Sequence, residues 1–593
     1  MLKQTKCKIN NVHSILHDSE KHSTQINPFI KIFDIVTNDF TCNVSTETFT
    51  DLEFFSCFDI NSTNNVLNLF LQNMHFKEST RVLEQVLSKP IFNIPLLNDR
   101  SAYLTEVSKL YYDNQPCIDK TFIDIKLKIP SVIWVFNYDP TELDNVLNLI
   151  YFNNKFLNKL NNHPGILTTT NLYNMIISPV IGILSPLIYY VIPFLILRMK
   201  FNLNISLKDY LTFSYSSFTA SHKMFSNNST IKSFTYISYI LSFCVYFQGI
   251  WNNLQLSKNT FNITTFIINK INHVIDIINH ETQLQQLLRN TCDINNNPFI
   301  KIPTSNINTV STSCFTFGKQ LAFFKTLDHA KLKDIVERIY VIDCFISLIK
   351  TKQLHNLQFS TYLQNESPSL KCDQIYHINL TEKSTIISNN FDLGNFHKNN
   401  CIITGPNAGG KSTFLKSIFI NIILSQTICF GSFNNLTFTP FKYINTHINI
   451  PDCKGVSSLF ESEMYRCKDN INNIKKLTLN EFGITAMDEI FNSTNVIEGI
   501  SGAYAILKTM NKYTNVLNIV TTHFSYLTKL KKHGFELYKM NADITNTNIK
   551  YSYKITSGVS KQYIALDILK DNGFDNDIIE EAIKIKKQIL NIN

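Results

Sequence analysis

The chain has 593 residues, 44% of them apolar and 17% charged, so it is long enough for several domains and too apolar for a disordered protein. Its net charge of +9 is too small to identify a nucleic-acid-binding protein by itself. The 13 cysteines form no C-x-x-C pair, which argues against a disulfide scaffold or a zinc site and fits an intracellular protein with reduced thiols.

The first part of the chain predicts a short arm followed by helices. Residues 1–50 are polar and mixed in composition, which predicts an irregular N-terminal arm without the apolar core of a signal peptide. Apolar residues cluster densely in 52–170, and those of 260–290 recur at helical spacing, so both segments are predicted to be mainly helical. Residues 310–350 are predicted to form helices that return towards the C-terminal part.

Two uncharged apolar runs interrupt this helical part. Residues 175–197 carry no charged side chain, contain three prolines at seven-residue spacing, and are long enough to cross a bilayer. A second uncharged run, 233–251, follows. Two interpretations stay open: the runs associate with a membrane, or they form a hairpin (172–252) that is buried or faces a partner. The lysine-rich segment 199–232 disfavours a simple two-span hairpin, because positive charge usually stays on the cytoplasmic side.

Residues 404–413, Thr-Gly-Pro-Asn-Ala-Gly-Gly-Lys-Ser-Thr, contain the pattern G-x-x-x-x-G-K-S of a phosphate-binding P-loop. An apolar run precedes it and apolar residues at helical spacing follow it, which is the strand–loop–helix context that the motif requires. Glycines let successive backbone N–H groups point at phosphate oxygens, and the helix N-terminus adds partial positive charge. Lys411 is therefore predicted to bind the β- and γ-phosphates of a nucleotide, and Ser412 to bind Mg²⁺.

Two further strands are predicted to bring acid–base groups to the P-loop. The run 484–490 carries Asp488, predicted to hold Mg²⁺, and Glu489, predicted to orient or deprotonate the attacking water. The run 518–524 has His523 near its end, where it is placed to sense the γ-phosphate. The alternative for Asp488 and Glu489 is a pair of surface carboxylates, and the alternative for His523 is a structural histidine. A final helix is predicted to begin near 575–577.

Together these motifs resemble the ATPase domain of the MutS family of DNA mismatch-repair proteins, which belongs to the ABC class. Residues 404–413 match the family's T-G-P-N-M-G-G-K-S-T with Ala408 at the methionine, and 458–464 and 487–495 are similar to S-T-F-M-V-E-M and M-D-E-I-G-R-G-T-S. His523 fits A-T-H-Y, and 425–432 keep Gln426 and Phe430 of A-Q-x-G-x-F-V-P. The resemblance covers most of residues 52–593; it is specific from 400 to 565 and weaker before residue 400.

The resemblance implies a Mg²⁺-dependent ATPase that works as a homodimer and drives a clamp on DNA. The implied ATP ligands are Gly405, Pro406, Asn407, Ala408, Gly409, Gly410, Lys411, Ser412, Thr413 and Gln426, with Ser458 reaching the nucleotide of the other subunit. Ser412 and Asp488 are the implied Mg²⁺ ligands, and Glu489 and His523 the catalytic residues. Double-stranded or branched DNA is the implied partner, in mismatch repair or recombination, in the nucleus or cytoplasm.

The chain departs from the family in two places. Only residues 1–50 precede the part that is similar to the MutS core, and they lack the F-x-E wedge, so we expect no mismatch-recognition or connector domain. Phe-Asn-Ser at 491–493 replaces G-R-G after the acidic pair, a change that leaves the phosphate-binding residues intact. The alternative function is that of a membrane-associated or scaffold ATPase that reuses the MutS engine without binding DNA.

The predicted fold is an α/β ABC-type P-loop ATPase domain preceded by a mostly α-helical core and lever domain. The predicted divisions are an irregular arm (1–50), a helical part with the hairpin (51–365), and the ATPase domain with a C-terminal helical dimerisation segment (366–593). Asn389, Asn390 and Phe391 are candidates for the adenine contact by position alone.

Overall fold

The structure, a computed structural model, describes residues 34–59, 62, 64–138, 140–224, 229–288, 297–301, 316–380, 386–395, 397–448, 459–544, 549–560 and 574–592. The chain divides into two compact units. Of the described residues, the first unit contains 121–283 and 316–335, and the second contains 34–120, 284–301 and 336–592. The domain boundaries predicted at 50/51 and 365/366 stay predictions.

The helices, in chain order, are α1 (Thr46–Asp51), α2 (Val66–Leu71), α3 (Ser79–Leu87), α4 (Ile94–Asn137), α5 (Pro140–Leu147), α6 (Pro164–Leu172), α7 (Ser178–Met199), α8 (Leu207–Met224), α9 (Ser229–Leu287), α10 (Phe317–Thr326), α11 (His329–Leu354), α12 (Lys411–Thr427), α13 (Leu459–Ile474), α14 (Val496–Met510) and α15 (Asn576–Ile592). A π-helical turn, Tyr173–Ile177, joins α6 to α7, and 3₁₀ turns occupy Asn158–Asn162, Ile378–Leu380 and Ser525–His533.

The strands are β1 (Asp34–Ile35), β2 (Asn43–Val44), β3 (Ile300–Lys301), β4 (Gln358–Phe359), β5 (Thr361–Tyr362), β6 (Ser369–Ile375), β7 (Asn389–Gly394), β8 (Asn400–Thr404), β9 (Phe430–Gly431), β10 (Asn435–Phe438), β11 (Tyr443–His447), β12 (Gly483–Asp488), β13 (Val516–Thr522), β14 (Phe535–Ile544) and β15 (Ile549–Ser557). They form a seven-stranded sheet, a four-stranded sheet (β5-β10-β6-β7) and the pairs β1-β3 and β4-β9.

Helices of the first unit pack around Trp134, whose side chain is fully buried. Its ring contacts Phe266 of α9 edge-on at 5.1 Å and stacks on Phe324 of α10 at 6.4 Å. The apolar stripe predicted in 260–290 is confirmed as core, because Ile267, Ile271 and its neighbours are buried. The ammonium of Lys128 bridges Asp124 of α4 and Asp276 of α9 at 2.6 and 2.8 Å, so an ion network borders this core.

The second unit is built on a mixed sheet with the order β15-β14-β8-β13-β12-β11-β2, in which only β15 runs antiparallel. Strands were predicted at 401–403, 484–490 and 518–524, and the structure places β8, β12 and β13 there, side by side. Because the carboxyl ends of parallel strands meet at one edge, the P-loop, Asp488 and His523 are brought together.

An early segment of the chain completes this sheet. Asn43 and Val44 of β2 pair with Tyr443 and Ile444 of β11, so part of the predicted irregular arm is a strand at the sheet edge. Helix α1 follows, and Asp51 at its end accepts hydrogen bonds from Thr446 and Ile448 and pairs with Arg466 at 2.7 Å. These contacts fix the segment on the second unit.

The two apolar runs fall in α7 and in the first half of α9. Among the described residues, the stretch Pro164–Ile188, which contains an 18-residue window with a mean hydropathy of 1.5, is long and apolar enough to cross a membrane. Core helices of soluble proteins can share this length and composition.

Candidate nucleotide-binding site

The P-loop turns sharply between β8 and α12. Gly410 caps α12 with a left-handed φ of 89°, and Ala408 has a φ of 61°. A Cβ atom on Gly410 would lie 2.9 Å from the Tyr553 ring, so this position needs glycine for both conformation and space. The turn exposes Asn407 and Ala408 and buries Gly405 and Pro406.

A cavity of about 900 Å³ opens on this loop, within the usual size range of ligand pockets. One wall contains the predicted residues Asn407, Ala408, Gly409, Gly410, Lys411, Ser412 and Thr413 with Asp488 and Glu489. The other wall is formed by Ile375, Tyr376, His377, Leu380, Ile386, Ile387, Asn389 and Tyr553. The cavity therefore joins the polar residues of the P-loop to a more apolar wall.

The ammonium of Lys411 is buried inside the loop. It donates to the carbonyl oxygens of Gly405 and Pro406 at 3.1 and 3.2 Å and lies 3.2 Å from Glu489 Oε1. His523 Nδ1 lies 3.7 Å from Glu489 Oε2. His523, and then Lys411, hold the pKa of Glu489 at about 2, below its ordinary value of 4.5. Glu489 is therefore a carboxylate between two nitrogen groups.

Oxygen ligands suited to Mg²⁺ lie in the same cavity. Asp488 is the last residue of β12 and its carboxylate accepts a hydrogen bond from Thr521, and Ser412 lies in the first turn of α12. Among the described residues, no group of three His, Cys, Asp or Glu side chains is arranged to hold a metal. A hydroxyl and one carboxylate fit Mg²⁺, which usually takes one or two protein ligands and fills its shell with phosphates and water.

A further contact to Glu489 comes from the segment that departs from the family pattern. Asn492 Nδ2 donates to Glu489 Oε2 at 2.9 Å. Glu489 and Phe491 both have left-handed backbones, with φ of 52° and 61°, and the buried Phe491 ring packs on Phe460 of α13 at 5.3 Å. The motif gave no indication of Asn492, because in the family pattern this position is an arginine.

Three predicted ATP ligands, Gln426, Gly405 and Pro406, do not line the cavity. Gln426 is fully buried: its amide nitrogen donates to the carbonyls of Ile91 and Phe441, and its oxygen accepts from the Phe441 amide. The assignment of Gln426 to ATP binding is therefore corrected to a structural role in the core. Ser458 lies outside the described residues. Gly405 and Pro406 contribute carbonyls to Lys411 and do not line the cavity.

The candidates for the adenine contact separate in the structure. Asn389 lines the cavity, but its side chain is occupied by the backbone of Tyr553 and Ile555. Phe391 is buried against Phe414 and Tyr538, and Asn390 accepts from the Gln374 amide. His377 lines the cavity instead, and burial lowers its pKa to about 4, so its imidazole is neutral at neutral pH.

The parallel sheet, the loop between β8 and α12 and the acidic pair at the end of β12 define a P-loop protein with a nucleotide-sized cavity. Residues 401–590 match the family model MutS domain V, which is the ATPase domain of that family. The match shows that this part of the chain, about a third of its length, is similar to the MutS ATPase domain.

Two relatives illustrate the extent of the match. The DNA mismatch repair protein MSH3 of Candida albicans is 26% identical over 351 residues, which cover 56% of this chain and 31% of that protein. The DNA mismatch repair protein MutS of Finegoldia magna is 29% identical over 273 residues, which cover 44% of this chain and 30% of that protein. The chain thus spans less than a third of the length of either relative.

Proposed function

We propose that this chain binds ATP with Mg²⁺ and hydrolyses it in the cavity between the P-loop and β12. The observation that carries the proposal is the buried Lys411 ammonium, which faces Glu489 in a cavity lined by the P-loop backbone. Ser412 and Asp488 would hold Mg²⁺, which neutralises phosphate charge when bound. Glu489 would accept a proton from the attacking water, with His523 beside it.

Phosphate binding would change the partners of Lys411. Its present partners are two loop carbonyls and Glu489, and phosphate oxygens are stronger acceptors in charge-assisted hydrogen bonds. When Lys411 turns to phosphate, Glu489 loses one of the charges that depress its pKa, and its carboxylate becomes a better proton acceptor. Nucleotide binding would therefore prepare the base for its step.

The apolar wall would receive the base of the nucleotide. Ile386 and Ile387 line the cavity and are 48% and 37% exposed, and the neutral His377 lines it as well. An uncharged imidazole and two aliphatic side chains suit a purine ring, which gains from stacking and dispersion.

The direct test is to titrate the full chain with a fluorescent ATP analogue, with Mg²⁺ and with a chelator, and to measure phosphate release. Saturable binding that Mg²⁺ strengthens, followed by steady release, is expected. Absence of binding would overturn the proposal. Binding without release would leave a nucleotide-binding module and remove the hydrolytic part.

We further propose that two chains share each nucleotide, with Ser458 of one subunit completing the site of the other. Ser458→Ala is then expected to depress hydrolysis while a single subunit still binds ATP. Mixing Ser458→Ala with Lys411→Ala chains is expected to restore activity, because one of the two heterodimer sites combines an intact P-loop with an intact serine. The exposed Ser501→Ala on α14 is the matched control. Hydrolysis is measured against protein concentration, and a monomer active at full rate at every concentration would contradict the shared site.

The relatives are named as DNA mismatch repair proteins, so we propose DNA as the partner that ATP turnover acts on. The 593-residue chain is expected to bind DNA weakly, because the segment before its core lacks the F-x-E wedge and its positive excess is modest. Binding should fall steeply with salt and show little preference for a mismatch. Competition among a perfect duplex, a G·T mismatch and a four-way junction at two salt concentrations measures this. A clear mismatch preference would contradict it, and no binding at low salt would remove the DNA role.

A further inference from the structure

Many of the described hydrophobic side chains of α7 and of the first half of α9 are exposed to an unusual degree. In α7, Val180, Ile183, Leu187 and Ile196 are 45–64% exposed. In α9, Leu241, Phe243, Val245 and Phe247 are 51–67% exposed. Large exposed apolar surfaces on a folded chain mark a site that another apolar phase covers. We call the paired segments 178–199 and 233–254 the apolar hairpin.

The exposure surrounds the helix and is not confined to one face. Each of the consecutive residues 240–245 is exposed, and six residues at helical spacing point in every direction around the axis. A groove on a protein partner, or a second copy of the chain, covers one face of a helix. A helix that is apolar all round needs an apolar environment all round, which a lipid bilayer provides.

The two segments run side by side in register. Ser257 donates to the Met175 carbonyl near one end, and Tyr246 donates to the Ile183 carbonyl at 3.0 Å nearer the middle, so the helices are antiparallel. The 22 residues of α7 span about 33 Å, and the uncharged run 233–251 spans about 28 Å. Both lengths match the hydrocarbon thickness of about 30 Å.

Polar and aromatic groups mark the two ends of this length. Arg198 in the last turn of α7 and Lys200 just after it lie at the tip of the hairpin, and Trp251, 61% exposed, lies near the base, just before Asn252 and Asn253. Tryptophan favours the membrane–water interface, and long basic side chains reach lipid phosphates. The segment between the two helices, 199–232, is rich in lysine. Positive charge usually stays on the cytoplasmic side of a membrane, so this segment has the opposite charge from that expected of a translocated loop. In the inserted hairpin its basic side chains would meet headgroup phosphates of the far leaflet.

We propose that the apolar hairpin inserts into the hydrocarbon core of a phospholipid bilayer and anchors this chain there. The inference rests on the exposure, length and register of α7 and α9, and it is independent of ATP hydrolysis. A bilayer anchor also gives the chain a role that the nucleotide site by itself does not indicate.

The test is cell-free synthesis of the full chain with phosphatidylcholine vesicles, followed by flotation at high salt. The wild-type chain is expected to float with the vesicles. The double change Ile183→Glu and Val245→Glu places two charges in the proposed hydrocarbon zone and is expected to reduce flotation at least tenfold. Leu127→Glu, at a 74% exposed position of α4 outside the hairpin, is the matched control and should float like the wild type. Circular dichroism checks that the variants keep their helices.

Fluorescence quenching locates the insertion. The chain has two tryptophans, and only Trp251 is exposed, since Trp134 is buried in the protein. Vesicles of brominated phosphatidylcholine are expected to quench the emission of the floated wild-type chain. A wild-type chain that does not float, or that floats only at low salt, overturns the proposal. So does a soluble oligomer that the double change dissociates, because a second copy would then cover the hairpin.

Discussion

Replacement of Lys411 by alanine is expected to weaken ATP binding at least about 100-fold. Lys411 is the buried cation of the P-loop, and two charge-assisted hydrogen bonds to phosphate contribute about 1.5–3 kcal/mol each, where about 1.4 kcal/mol corresponds to a tenfold change in affinity. The change also removes the ion-pair partner of Glu489 without altering the backbone amides of the loop. Equilibrium titration with a fluorescent ATP analogue measures the loss.

Lys442→Ala is the matched control for this change. Lys442 also forms an ion pair with a glutamate, Glu481, but it does not line the cavity. Its loss should leave ATP binding within about twofold, since surface ion pairs contribute about 1 kcal/mol or less and act here only on stability. If Lys411→Ala binds ATP as tightly as Lys442→Ala does, the phosphate site has been placed wrongly.

Glu489→Gln is expected to keep ATP binding and to lower turnover by about 100-fold or more, the usual contribution of a general base. Glutamine keeps the size of the side chain and its contact with Asn492, but it cannot accept the proton of the attacking water. Single-turnover phosphate release, compared with titrated affinity, separates the two effects. Glu481→Gln, a glutamate in a similar ion pair outside the cavity, is the control and should turn over ATP at the wild-type rate.

The low pKa of Glu489 also predicts how the stability of Glu489→Gln depends on pH. Its pKa of about 2 lies below the ordinary 4.5, so its ion pairs stabilise the folded chain fully above about pH 4.5 and lose this effect as the pH falls through about 2. The free energy of unfolding of Glu489→Gln should therefore differ from that of the wild type at pH 7 and approach it in strong acid. A constant difference across this range would contradict the ion-pair geometry.

The sequence predicted the half of the site that depends on short motifs. A P-loop fixes its own strand, turn and helix within about a dozen residues, and the acidic pair and His523 each end a buried strand. Parallel pairing of β8, β13 and β12 then places them together, as predicted. The roles of Ser412, Asp488, Glu489 and His523 remain proposals that the experiments above address.

The other half of the site could not be predicted from local patterns. His377, Ile386, Ile387 and Tyr553 are separated by up to about 175 residues and form one wall only because β6, β7 and β15 bring them there. Gln426 illustrates the opposite case: its motif position indicated a ligand, but burial in the core gives its amide backbone partners. Whether Gln426 faces the nucleotide or the core depends on the direction of its side chain around α12, which the sequence motif does not show.

The position of strand β2 at the edge of the sheet affects folding during synthesis and the choice of fragments for expression. During synthesis, Asn43 and Val44 leave the ribosome about 400 residues before Tyr443 and Ile444, the partners that complete their hydrogen bonds. Until β11 has been synthesised, β2 lacks its hydrogen-bonding partner. After folding, β2 occupies the hydrogen-bonding groups on the outer edge of β11. A fragment that starts at residue 366 would leave that edge bare, and an open strand edge recruits other chains. Expression of the ATPase region therefore calls for the segment 34–59 to be kept, fused or supplied as a peptide.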